Sequence, residues 1–250
     1  SKTSALVLVD ADGSNKRVLS RVTDATIYSP AVSPDGRSVA YSVQLKDNSA
    51  NLWKYDLKTS QLTRLVEMKG SSLNPSFSSD GSKILFSSTV NGDADIYRIN
   101  SNGGKPELVM SGPYEQVTPS YAPNGSFVYA SDHASPNRPS IYRYNFSGSP
   151  VQISRGGYAT NPNYSPDGTK IGFLSGRNAA IMSNNGSILA NFGATGLDEA
   201  PRFSPSGERV VYSQGAKKGN LVIRYVDGGK VTTLPTDGIA KSPTWVPSAE

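Results

Sequence analysis

The sequence predicts an all-β protein, a six-bladed β-propeller of four-stranded antiparallel blades, and three observations carry that prediction. The first is a repeat. The phrase Ser29-Pro30-Ala31-Val32-Ser33-Pro34-Asp35-Gly36 returns as Asn74-Pro75-Ser76-Phe77-Ser78-Ser79-Asp80-Gly81, then from Thr118-Pro119, Asn161-Pro162 and Ala200-Pro201. A shortened copy, Ser242-Pro243-Thr244-Trp245-Val246-Pro247, comes last. The leading prolines lie 45, 44, 43, 39 and 42 residues apart, the spacing of propeller blades. The second observation is a set of apolar triplets after each turn: Val39-Ala40-Tyr41, Ile84-Leu85-Phe86, Phe127-Val128-Tyr129, Ile171-Gly172-Phe173 and Val210-Val211-Tyr212. Unbroken apolar runs suit strands covered on both faces, as the inner strands of stacked blades are. The third is composition: 24 Gly, 17 Pro and 13 Tyr with hardly a helix signal, as tight turns between strands require.

Within each copy the order of elements follows from local chemistry. In Ser33-Pro34-Asp35-Gly36 the proline presets φ, the aspartate can bond the nearby backbone, and glycine takes the turn exit. A first strand (30–33) thus leads into a second (38–43). Third and fourth strands follow as Leu52–Tyr55 with Leu62–Leu65, Ile96–Ile99 with Glu107–Val109, and Ile141–Tyr144 with Val151–Ile153. Ala180–Met182 with Ile188–Ala190 and Leu221–Ile223 with Val231–Leu234 continue the series. At the start of the chain, Ala5–Val9 and Arg17–Leu19 around Asp10-Ala11-Asp12-Gly13 read as one more such pair.

First, third and fourth strands therefore occur six times, but the apolar second strand only five. The expectation is one domain, 1–250, whose sixth blade takes its first strand from the C-terminus and its last two from the N-terminus, hiding both edges. The missing strand implies either a longer parent chain, truncated at that blade, or a natural three-stranded blade.

Few reactions are open to these residues. Cysteine is absent and His133 is the only histidine, in the turn-rich Ser131–Pro136, where it is expected to be exposed. Neither a zinc site nor a Ser-His-Asp arrangement is expected from such a set. The net charge of +5 is scattered, with only Lys16-Arg17 and Lys217-Lys218 adjacent, so no basic stripe for nucleic acid is present. No apolar run approaches the roughly 20 residues that span a bilayer, and no signal peptide opens the sequence. Asn102-Gly103-Gly104 and Asp227-Gly228-Gly229 lie between strands and are not phosphate cradles. No cofactor, metal or catalytic residue is expected.

Function should then lie in the loops that enter the first strands, which converge on one face of a propeller. The candidate contact residues are Tyr28, Ser29, Ser71, Leu73, Asn74, Gln116, Val117, Thr118, Ala159, Thr160, Asn161, Asp198, Glu199, Lys241 and Ser242. Their mixture of aromatic, amide, hydroxyl and charged groups suits a protein surface better than a small apolar ligand. The adjacent acids Asp198 and Glu199 read either as a seat for a cation or basic group, or as a hydrated rim.

The phrase P-x-ϕ-S-P-D-G, an apolar strand and an Ile-Tyr strand resemble the propeller repeats of the TolB family along the whole chain. Leu197-Asp198-Glu199-Ala200-Pro201 and the run from Leu234-Pro235-Thr236-Asp237-Gly238 to Trp245-Val246-Pro247 are the most specific parts. The resemblance implies a periplasmic, non-enzymatic, monomeric protein of Gram-negative bacteria that binds the peptidoglycan-associated lipoprotein Pal at its channel mouth. It further implies roles in outer-membrane integrity and cell division, contact with TolA through an N-terminal segment missing here along with an α/β domain, and colicin translocation peptides as partners. The chain departs from familiar members at Thr118, where an acid is usual, and at Ser71, where a histidine is usual; a co-evolved Pal accommodates both. A second reading is the gating propeller of a prolyl-oligopeptidase-type hydrolase, which requires a neighbouring α/β-hydrolase domain with a G-x-S-x-G turn. A third, a propeller lyase or hydrolase, lacks the clustered His, acid or metal ligands it needs.

Overall fold

The structure, a computed structural model, describes residues 1–215 and 219–247. The Lys217-Lys218 pair lies outside the described residues. The chain is an all-β propeller of four-stranded antiparallel blades. Strands β1 (Thr3–Leu8) and β2 (Arg17–Thr23) form a two-stranded sheet. The first full blade is β3 (Ala25–Val32), β4 (Ser38–Leu45), β5 (Ala50–Asp56) and β6 (Leu62–Val66). The second is β7 (Ser72–Phe77), β8 (Lys83–Ser88), β9 (Asp95–Asn100) and β10 (Glu107–Met110). The third is β11 (Gln116–Tyr121), β12 (Phe127–Ser131), β13 (Ser140–Tyr144) and β14 (Val151–Gln152). The fourth is β15 (Ala159–Tyr164), β16 (Lys170–Ser175), β17 (Asn178–Ser183) and β18 (Ile188–Ala194). The fifth is β19 (Arg202–Phe203), β20 (Arg209–Gln214), β21 (Asn220–Tyr225) and β22 (Val231–Pro235).

The turns form as their chemistry dictates. Asp35 Oδ1 accepts from Ser33 Oγ at 2.5 Å and from the Arg37 amide at 2.9 Å. Asp80 and Asp167 repeat the pattern. Asn124 does so without charge, accepting from the amide and hydroxyl of Ser126.

Every member of the five triplets is buried, and successive side chains serve opposite blade interfaces. Val39 and Tyr41 pack with Leu6 of β1, while Ala40 packs forward with Ile84 and Phe86. Leu85 joins Phe127 and Tyr129, and Val128 joins Ile171 and Phe173. At about 1.5–3 kcal/mol for each large apolar side chain, these interfaces carry much of the stability. Gly172 holds the forward position in β16, and the glycine is required there. A Cβ would stand 2.4 Å from the carbonyl oxygen of Pro201 in the next blade. Asn163 Nδ2 stitches the same spot, donating to Pro201 O at 2.8 Å and Gly172 O at 3.2 Å.

One expected element differs. The C-terminal Ser242–Pro247 segment runs beside the fifth blade, yet it forms no strand. A first strand gains its ladder from a second, and among the described residues none lies beside this one. Side chains hold it instead: Trp245 Nε1 donates to Arg202 O at 3.0 Å, and the Arg209 guanidinium lies 5.1 Å above the indole.

Candidate functional site

The residue directly before the leading proline takes a left-handed conformation in the first four blades and in the C-terminal segment. The φ values are 52° at Ser29, 59° at Asn74, 52° at Thr118, 53° at Asn161 and 52° at Ser242. Proline disfavours right-handed helical geometry in the residue before it, and it has no N–H to give a ladder. Each first strand of those four blades therefore carries a bulge at this point, with register shifts at Tyr28/Ala31, Leu73/Ser76, Val117/Ser120 and Thr160/Asn163. A bulge re-aims the side chain it displaces. Ser29, Asn74, Thr118, Asn161 and Ser242 all line one cavity of about 770 Å³ that runs down the first strands.

The fifth loop is built differently. Its left-handed residue is Asp198 (φ 52°), three positions before Pro201, and β19 begins only at Arg202. Asp198 accepts from Arg177 Nε at 3.2 Å. Glu199 turns toward the C-terminal segment, where both carboxylate oxygens lie 2.8 Å from the Ser242 amide that donates to them. Burial raises the Glu199 pKa, against the lowering pull of that amide and of the Arg202 charge. Burial pushes the Arg202 guanidinium down, against the pull of Glu199.

Of the residues expected at the mouth, Tyr28, Ser29, Asn74, Thr118, Asn161, Asp198, Glu199 and Ser242 line the shared cavity. Ser71, Leu73, Gln116, Val117, Ala159, Thr160 and Lys241 do not. Gln116, Ala159 and Thr160 are buried in the strands. Ser71 Oγ donates to the carbonyl of Asn48. Lys241 sits outside the cavity with its ammonium 5.7 Å above the Tyr28 ring, joining the last loop to the first. His133 is exposed in the β12–β13 loop, edge-on to Tyr114 with ring centroids 4.9 Å apart, and lines no part of the cavity.

Sequence reasoning stopped at the prolines and missed the residues just after them. Ser76, Ser120, Asn163, Arg202 and Thr244 line the channel below the mouth. The signal was present as one register, 31, 76, 120, 163, 202 and 244, in which a single arginine stands among small residues.

The family model described as the TolB beta propeller domain matches residues 1–249. The Tol-Pal system protein TolB of Francisella tularensis subsp. mediasiatica (strain FSC147) is 30% identical over 97% of this chain and 59% of its own length. The chain thus spans about three fifths of such curated relatives. The crystal structure of TolB from Acinetobacter baumannii superposes with a TM-score of 0.85 at 31% identity, covering 98% of this chain and 63% of that one. A putative TolB from Agrobacterium tumefaciens shares the fold, with a TM-score of 0.73 at 23% identity over 93% of this chain and 90% of that one. With its repeat register, its blades and its whole length matched, the chain belongs to the TolB β-propeller domain family.

Proposed function

We propose that this chain is a periplasmic, non-catalytic binding propeller of the Tol-Pal system that grips the lipoprotein Pal through its channel mouth. The observation that carries this reading is the ring of bulged, left-handed residues that send polar side chains into one cavity. Non-glycine residues persist in that conformation only where the surroundings enforce it, and such positions gather at ligand clamps. In this reading the protein is a monomer that supports outer-membrane integrity and cell division, and TolA contact belongs to an N-terminal part of the family outside this chain.

The same reading makes the two-stranded sheet and the C-terminal segment one sixth blade. In its support, Leu6, Leu19 and Val22 pack on the first blade, and Pro247 O lies 3.0 Å from the Cβ position of Gly36 in the first blade's turn. Lys16 Nζ pairs with Asp237 at 3.1 Å between the opposite ends of the chain.

Calorimetry with the periplasmic domain of the cognate Pal tests the reading, and a one-to-one complex is expected. Absence of heat and of complex at protein concentrations on the order of tens of micromolar would overturn it. Tyr28→Ala, at a half-buried ring that lines the cavity, should weaken binding about tenfold or more while barely moving the thermal midpoint.

A further inference from the structure

Among the described residues that line the channel, Arg202 carries the one positive charge. Its counterparts directly after the other prolines are Ala31, Ser76, Ser120, Asn163 and Thr244. Three of these knit the wall: Ser76 Oγ accepts from the Tyr121 amide at 3.1 Å, Ser120 Oγ accepts from the Tyr164 amide at 3.2 Å, and Asn163 donates to Pro201 O. The Arg202 guanidinium does no such work, and among the described residues it has neither hydrogen bond nor ion pair. Of the two acids nearby, Asp198 pairs with Arg177, while Glu199 accepts from the Ser242 amide and acts on Arg202 only through its charge, without a hydrogen bond to it. The guanidinium is half-buried in the cavity wall with its hydrogen-bond donors unused among the described residues, so it can receive an anionic group.

We propose that the channel is a carboxylate receptor, in which Arg202 takes an Asp or Glu side chain presented by the protein loop that docks in the mouth. The guanidinium is planar and forked, so it receives a carboxylate through two parallel charge-assisted hydrogen bonds. The cavity leaves room below the mouth for such a side chain, with Tyr121, Tyr164 and Trp245 as its walls. The inference rests on the reading of the mouth as a protein-binding site, and two separate measurements keep them distinguishable.

Arg202→Ser is the variant of choice, since Ser76 and Ser120 fill the equivalent positions of the second and third blades. Calorimetry with the cognate Pal domain should show affinity about 30-fold or more below wild type. Arg202→Lys, which keeps the charge but not the fork, should fall between them. Equal affinity in wild type and Arg202→Ser would overturn the carboxylate site and leave the mouth reading standing. If wild type forms no complex with Pal, acetate decides the matter. A saturable change in tryptophan fluorescence, reported by Trp245 beside Arg202, is expected in wild type and should vanish in Arg202→Ser. No response in wild type, or the same response in both proteins, would overturn the proposal.

Discussion

Thr118 shows how much the mouth asks of single residues. A β-branched side chain at φ 52° is rare, and its Oγ1 is buried without a partner. Two sister loops fill the position with Asn74 and Asn161, which tolerate the left-handed region better. Glu199 shows a different demand, because its carboxylate tethers the C-terminal segment and does not stand free at the rim. Its proton is held more tightly in the folded chain than the ordinary value of 4.5 implies. Such a group costs stability as pH rises from its unfolded pKa through its folded one. Glu199→Gln keeps an oxygen for the Ser242 amide and removes that cost, so its advantage over wild type in urea unfolding should grow between about pH 4 and pH 7. An advantage that shrinks with pH would refute the assignment. Glu199→Ala leaves the amide unpaired and should lose about 1–3 kcal/mol.

At the scale of elements, the turn between first and second strands is a charge-optional device. The Thr169 amide, with the hydroxyls of Ser165 and Thr169, holds Asp167 down to about 2. The amide and hydroxyl of Ser82, then Ser78, do the same for Asp80. A carboxylate with a depressed folded pKa stabilises above its unfolded value near 3.8, and the effect is lost as pH falls toward about 2. Ser206 holds the equivalent position of the fifth-blade turn, closed like those of Asp80 and Asp167, with no titratable group. The double variant Asp80→Asn, Asp167→Asn should therefore fold, and its thermal midpoint should drop less than wild type's between about pH 4 and pH 2. Parallel decline of both proteins would show that other carboxylates govern acid unfolding. These turns and the strands around them were legible from the sequence, because each depends on residues within a few positions of one another. The bulges were not, because proline explains why a ladder bond is missing but not which way the displaced side chain turns.

At the scale of the whole molecule, Trp245 ties the C-terminal segment to the fifth blade. Trp245 combines a hydrogen bond to Arg202 O with stacking under Arg209, and it does so in a segment with no strand pairing. Trp245→Ala should destabilise the protein by about 2–4 kcal/mol in urea unfolding, reduced from the cost of a fully buried ring by its half-buried setting. Trp245→Phe keeps an aromatic ring and should lose about 1 kcal/mol, the ordinary worth of one hydrogen bond. If both variants match wild type, the C-terminal segment contributes nothing to the ring.

Periodic pattern and short-range bonding record the repeat spacing, the turn chemistry, the doubly covered second strands and the family, so these are legible in the sequence. Tertiary packing settles that Glu199 turns to the C-terminal segment, that Gly172 must lack a side chain, that Ser242–Pro247 runs without a ladder and that the Arg202 guanidinium lines the channel with no hydrogen bond among the described residues. Each of those outcomes depends on contacts between neighbouring blades, with partners such as Glu199 and Ser242 separated by 43 positions. Local pattern carries no record of where such distant groups meet.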